Sequence, residues 1–359
     1  MKKMITLVAV AAISTSASAF DYKFNLEGRA DFISSNTKTT AQAGTTTEAK
    51  QNGFLSNLIR LNMMGNINDT LSYRMRYRFN KEYTNTTRDD STTDLDYLYI
   101  DHKNAFFTTR FGKTNWAEAY GRESFISSTD LFLATDAYTA YNNNIGNYRF
   151  GVSGTYTFLD THKLTLAISN PNKTATDTTG ETKNTSLAYA AHYSSVMFDK
   201  MFQPTLSYTL AAQDGDAQAA TPTTKGDYTM MAAGFRSEVV GLVIDADWKQ
   251  FKKEKRTTTG ATSADDKTTS IFANVSYAIN EFSPFVQYAN DKFSDDLTAN
   301  TAEYKKNTIV GGVMYKPFND VNFRYHLAYS FSKQKFDDVT ATNKEVKDNR
   351  IIFGIKADI

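Results

Sequence analysis

In the stretch SYRMRYRFNKEY, residues 72–83, alternate positions belong to two chemistries. Tyr73, Met75, Tyr77 and Phe79 are apolar or aromatic, whereas Arg74, Arg76, Arg78 and Asn80 are strongly polar. Successive side chains of a strand point to opposite faces, so as a strand this segment sets an apolar face against three guanidinium groups. Guanidiniums call for water, anions or facing carboxylates, which an ordinary dry core does not supply. The fold therefore has to wet one side of its sheet and cover the other with something apolar.

The same period of two runs through most of the chain. Apolar faces recur over 22–32, at Leu55, Ile59, Leu61 and Met63, at Leu95, Tyr97 and Tyr99, and at Phe107 and Phe111. Further faces follow over 150–158, 164–168, 187–193 and 206–210, at Met230, Ala232 and Gly234, and over 242–248. The last lie over 271–279, 286–288, 309–315, 321–331 and 351–359. The count is about sixteen strands, and an even count is what a closed single-chain membrane barrel needs. Short connections such as NIND, LDTH and KPFND alternate with long ones such as RTTTGATSADDKTT. In outer-membrane barrels the short turns and both termini face the periplasm.

Composition supports this reading. After the first residues no run approaches the ~18 apolar residues of a membrane helix, so any span has to be a strand. A mean hydropathy of −0.47 fits a barrel in which only every second residue is apolar. A soluble β-sandwich or propeller shares the period, but not the alternation of long and short connections. Aromatics near strand ends are expected to form two interfacial girdles, Phe20, Tyr22, Phe158, Tyr193, Phe202, Phe282 and Phe323 at one end. Phe32, Tyr148, Tyr228, Trp248, Phe251, Tyr288 and Phe331 are expected at the other.

Residues 1–19 carry Lys2 and Lys3, an apolar stretch and a small-residue site at Ala17-Ser18-Ala19, the layout of a cleaved signal peptide. Residues 20–359 then form the barrel. Without Lys2 and Lys3, 40 basic residues fall to 38 against 39 acidic ones, so no nucleic-acid partner is expected. With no Cys there is neither a disulfide framework nor a thiolate metal site. His102, His162, His192 and His326 lack metal-ligand spacing, and no nucleophile elbow or phosphate loop occurs, so neither cofactor nor enzyme chemistry is expected.

One connection breaks the pattern. Residues 113–147, KTNWAEAYGRESFISSTDLFLATDAYTAYNNNIGN, are far more aromatic and apolar than the other loops and are expected to fold inward rather than lie in water. At this point the sequence resembles the general porins of Gram-negative outer membranes. That resemblance implies a sixteen-stranded trimeric barrel whose long third loop, between strands five and six, constricts the lumen. LEGRADF is similar to the family's first strand and gives Arg29 as a lumen-facing base. IRLNMMGNIND looks like its second strand, placing Arg60 at the constriction, and RFGVSGTYTF suggests Arg149 as a wall arginine. STDLF resembles a step of the constriction loop and gives Asp130 the acidic role. The sequence departs from the family at the loop tip, where Ala134 replaces an expected Glu, at Asp94 and Asp96, where an arginine is usual, and at the non-aromatic Ile359.

The expected function is a water-filled channel for passive diffusion of ions and small hydrophilic solutes. Its basic wall is Arg29, Arg60, Arg74, Arg76, Arg78 and Arg149, and its loop acids are Glu118, Glu123, Asp130 and Asp136, the two sets facing each other across water. A substrate-selective porin for anions, phosphate or sugars, and a surface receptor or adhesin, remain as alternatives. The partners implied are membrane lipid, lipopolysaccharide, two further copies of the chain, and solutes in transit.

Overall fold

The computed structural model describes residues 21–79, 94–115, 121–127, 129–170, 175–176, 182–183, 187–213, 225–256, 262–295, 303–318, 320–337 and 342–359. Residues 1–19, Phe20 and Glu118 lie outside them. The first strands are β1 (Asp21–Ala41), β2 (Thr46–Asn66), β3 (Leu71–Arg78), β4 (Asp94–Lys103) and β5 (Phe107–Asn115). A 3-10 turn at Arg122–Phe125 and an α-helix, α1 (Asp136–Asn144), precede β6 (Tyr148–Phe158) and β7 (His162–Ser169). The short pair β8 (Ala175–Thr176) and β9 (Thr182–Lys183) stands apart from the rest. Then come β10 (Ala188–Ser195), β11 (Gln203–Gln213), β12 (Lys225–Val239), β13 (Leu242–Arg256) and β14 (Thr262–Tyr277). β15 (Phe282–Asp295), β16 (Tyr304–Tyr315), β17 (Asn322–Phe336) and β18 (Asn343–Asp358) complete the wall.

Excluding β8 and β9, sixteen strands pair with their sequence neighbours, and β18 returns to pair with β1, closing an antiparallel barrel. Closure removes every sheet edge, which hydrocarbon would not tolerate. The apolar parity faces out: Leu166, Leu206, Ile271, Leu327 and Phe353 are all exposed, whereas Thr165, Thr205, Ser270 and Lys356 beside them are buried. The opening stretch behaves as its alternation requires, with Tyr77 and Phe79 exposed and Arg76 buried on the inner side.

Three strands carry a different phase from the one read off the sequence. In β2, Arg29 pairs with Leu58 but Ala30 with Ser56, so one extra residue is accommodated and the parity reverses. Leu55 therefore sits opposite inward Asp31, and Phe54, 79% exposed, takes the outward place expected for Leu55. In β4 a second shift lies between Arg76, which pairs with Tyr97, and Tyr77, which pairs with Leu95. Tyr97 and Tyr99 consequently face the arginines inside, and Leu98 and Ile100 face out.

The third correction has another cause. Met230, Ala232 and Gly234 of β12 face inward, with Met230 and Ala232 buried, while Met231 is exposed. Here the inner face is itself apolar because α1 covers it. Ala137, Tyr141 and Ile145 pack against Tyr228, Met230 and Phe251. Tyr228 and Phe251 thus belong to this inner cluster and not to an interfacial girdle. Tyr148 likewise turns its hydroxyl to Arg76 and Arg78.

Candidate functional site: the segment across the inner wall

Residues 121–147 are held by inward-facing side chains of the strands from β13 round to β1. The chain enters at Gly121, whose φ of +88° suits glycine and where an added Cβ would lie 2.8 Å from an Asp247 carboxylate oxygen. Arg122 then donates to Asp245 at 2.9 and 3.1 Å. The Glu123 carboxylate takes the Lys249 ammonium, and also accepts from the Thr135 amide at 3.0 Å and the Thr135 hydroxyl at 2.6 Å. Asp247 completes the group, accepting from the Glu123 amide at 3.0 Å and pairing with Lys249 at 3.1 Å.

The middle of the segment is tied to β15, β17, β18 and β1. Gln287 donates to the Asp130 carbonyl at 2.8 Å and accepts from the Phe132 amide at 2.9 Å. The Asp130 carboxylate meets Lys356 at 3.0 Å and Arg324 at 3.3 Å. Arg29 donates to the carbonyls of Thr129 and Leu131 at 3.1 and 2.8 Å, while its remaining face stacks on Phe132 and pairs with Asp31.

Helix α1 follows because Thr135 can cap it, its side chain accepting from the Tyr138 amide. The first free amides of the helix, Asp136 and Ala137, donate to Asp291 and to the Ser270 hydroxyl on the wall. Asp136 also binds Lys306 at 2.6 Å and the Tyr304 hydroxyl at 2.9 Å. At the far end the Tyr141 hydroxyl accepts from Arg149 at 2.8 Å. Burial pushes the Tyr138 and Tyr141 phenols above their ordinary range, so both remain neutral hydrogen-bonding groups.

Opposite this anchorage stands the arginine wall, β3 lying eight strands from β13 in either direction around the barrel. One oxygen of Asp96 receives Arg76 and Arg78 at 3.1 Å and lies 3.6 Å from Arg60. The Tyr148 hydroxyl accepts from Arg76 and Arg78 at 2.8 and 2.9 Å, and Arg76 stacks on Tyr97 at 3.8 Å. Arg74 donates to Asn62, and Glu27 lies 3.5 Å from Arg60. A cavity of about 720 Å³ runs between the segment and the wall of β1, β2 and β18, bordered by Arg29, Asp31, Leu55, Phe132 and Ile352 among others.

The candidate residues therefore separate into two groups. Arg60, Arg76 and Arg78 converge on Asp96 with Arg74 beside them, whereas Arg29 and Arg149 bind the segment itself. Glu123, Asp130 and Asp136 each pair with a lysine of the wall, and among the described residues no ion pair joins them to Arg74, Arg76 or Arg78. Sequence reading missed Lys249, Lys306 and Lys356, the partners of these acids, and it placed Asp96 only as a departure from a pattern. Their inward parity was the available signal: Lys249 and Lys356 alternate with apolar neighbours in the same way as the arginines of β3.

A closed barrel with an apolar exterior and a charged interior is the architecture of a transmembrane β-barrel channel. The model of the Gram-negative porin family matches residues 6–349, and the chain belongs to that family. It is an outer-membrane channel for passive diffusion of solutes. Among solved structures, the outer membrane channel DcaP of Acinetobacter baumannii is similar at a TM-score of 0.66 and 14% identity, over 96% of this chain and 99% of that one. A loop L8 deletion mutant of OmpT, an outer membrane protein of Vibrio cholerae, gives 0.65 and 11%, over 95% and 100%. An anion-selective porin from Comamonas acidovorans gives 0.63 and 12%, again over 95% and 100%. No curated protein matches the chain.

Proposed function

We propose that residues 113–147 form the constriction of this channel and that the ring they narrow favours anions. The observation that carries this reading is the meeting of Arg60, Arg76 and Arg78 at a single oxygen of Asp96, while the segment's acids are paired with other cations. Positive charge on that wall exceeds negative charge, and Arg74 adds to the excess. A fixed charge sets the local ion concentration in a narrow aqueous ring, whereas screening over about 8 Å at physiological salt would blunt it in a wide one. The barrel acts as a non-catalytic homotrimer, and residues 1–19 are its cleaved leader.

Reversal potentials in a planar bilayer across a tenfold potassium chloride gradient test the selectivity. The expected sign is that of chloride preference, and a cation-selective value would overturn the reading. Adding inorganic phosphate separates general anion preference from a dedicated phosphate channel, because only the latter would show chloride current blocked at saturating phosphate.

A further inference from the structure

The wall around the cavity of about 720 Å³ departs from the polar lining of the lumen. Phe285 of β15, Val310 of β16, Ala328 of β17 and Ile352 of β18 form a buried apolar cluster on the inside of the barrel. Phe132 and Leu133 of the segment pack over it, the Phe132 ring stacking on Phe285 with centroids 4.8 Å apart. That cover is incomplete. Ile33 of β1 and Leu55 of β2 stay half-buried on the wall, and with Phe132 and Leu133 they border the cavity. Beneath α1, by contrast, the helix buries Met230 completely. Gly53, which pairs with Ile33 across the ladder, adds no side chain and so leaves room beside it. Apolar surface facing lumen water favours any solute that removes it from water.

Further towards the long loops the chemistry of the cavity changes. Ser35 pairs with Arg350 and Thr37 with Asp348 across β1 and β18, and all four border the cavity. Arg350 donates through Nε to one Asp348 oxygen at 2.5 Å, and the Thr37 hydroxyl donates to the other at 2.9 Å. The Arg350 side chain is 52% exposed, and among the described residues its two terminal nitrogens have no hydrogen-bond partner. Each Asp348 oxygen has one donor and can accept another. The lip of the cavity therefore presents a cation and an anion side by side, with Arg350 about 7 Å along β18 from Ile352. Deeper in, Arg29 and Asp31 are committed to each other, to the segment and to His326.

We infer that this cavity binds zwitterionic solutes that carry an apolar side chain, namely aliphatic and aromatic α-amino acids and short peptides of them. The terminal nitrogens of Arg350 receive the carboxylate, and Asp348 receives the ammonium. The apolar body lies below, on Ile33, Leu55 and the edge of Phe132. Charge decides the class. A simple anion would meet Arg350 but also the carboxylate beside it, and a simple cation the reverse, whereas a zwitterion satisfies both groups. The apolar row then separates leucine or phenylalanine from glycine, which gains the head-group contacts alone. A volume of about 720 Å³ exceeds that of one amino acid and admits a short peptide. This site stands apart from the arginines of β3 and holds for either sign of ion selectivity.

The test uses the full channel in a planar bilayer, reading solute-induced interruptions and excess noise of the potassium chloride current. The probe is leucine, set against three analogues that each lack one part: glycine, without the side chain; 4-methylpentanoate, without the ammonium; and 3-methylbutylamine, without the carboxylate. At neutral pH the half-saturating concentration of leucine should be at least tenfold below that of each analogue. Arg350→Gln should raise it at least tenfold and remove the advantage over 3-methylbutylamine. Gly53→Val, which fills the apolar row, should remove the advantage over glycine. Equal affinity for leucine and glycine, or no response to leucine, would overturn the proposal. Binding of 4-methylpentanoate as tight as that of leucine would also overturn it, since the cavity would then be a site for amphipathic anions. Unaltered leucine affinity in Arg350→Gln would do the same by placing the binding elsewhere in the lumen. If a variant fails to form channels, the comparison of the four solutes on the unaltered channel decides alone.

Discussion

The Lys249 ammonium and the Glu123 carboxylate meet as an ion pair in which neither side chain is exposed. Their removal from water is a large cost that the pair itself and its neighbours offset, so breaking one side is worse than removing both. Lys249→Met leaves Glu123 and Asp247 as two buried carboxylates without their shared cation. It is expected to destabilise the folded barrel by about 3–5 kcal/mol, with the double variant K249M/E123Q recovering much of the loss. Denaturant unfolding in detergent measures both, and a single-variant cost below 1 kcal/mol would remove the pair from the set of important anchors.

Asp96 holds three arginines together and is their common counter-charge. Asp96→Asn should therefore raise the fixed positive charge of the wall and move the reversal potential further towards chloride. Unchanged selectivity would mean that ions do not pass near this cluster.

Charge reversal at Arg60 should act in the opposite direction and favour cations, and neutralising Arg60 with Arg76 should slow charged solutes more than neutral ones. Arg29→Glu should change selectivity less than Arg60→Glu, because the Arg29 guanidinium is occupied by Asp31 and by the carbonyls of Thr129 and Leu131. Bilayer recordings compare the two directly, and a larger shift at Arg29 would relocate the narrow ring to its side of the barrel.

The chain contains no Cys, so single cysteines report facing directly. Leu55→Cys and Tyr97→Cys should react with a small charged thiol reagent that enters the pore. Phe54→Cys and Leu98→Cys should react with a lipid-soluble reagent instead. The opposite result at either pair would cancel the parity change assigned to that strand.

For assembly, the expectation is a heat-resistant homotrimer with three times the mass of one protomer in mild detergent. Light scattering with the detergent contribution subtracted checks it, and a monomer as the sole species would refute it.

The alternation of β3 made the two faces of the wall legible from residues 72–79 alone, because lipid and water impose opposite demands on adjacent side chains. What escaped was local. A single extra residue near Asn57 or Asp96 reverses every later side chain of a strand, yet leaves composition and apparent period almost unchanged. In β12 the rule of polar residues inside fails because Met230 meets Tyr141 and not water, a contact across 89 residues that no short window contains. The site was legible to the same degree. Arg60, Arg76 and Arg78 could be read from their parity, but the choice of Lys249 and Lys306 as partners for Glu123 and Asp136 depends on how the segment lies across the barrel.

The ladder between β1 and β18 joins the two ends of the barrel sequence, with Ala30 opposite Ile355 and the Leu26 backbone bonded to that of Ile359. Such a contact closes a loop of more than 300 residues, so it cannot form early by local search. Until it forms, β1 and β18 each present a row of unmet amides and carbonyls, which water tolerates and hydrocarbon does not. Insertion and closure are therefore one coupled event in time. A chain stalled before its last strand would be neither a smaller pore nor a leaky one, but a ribbon with two adhesive borders, ready to pair with any other unfinished copy.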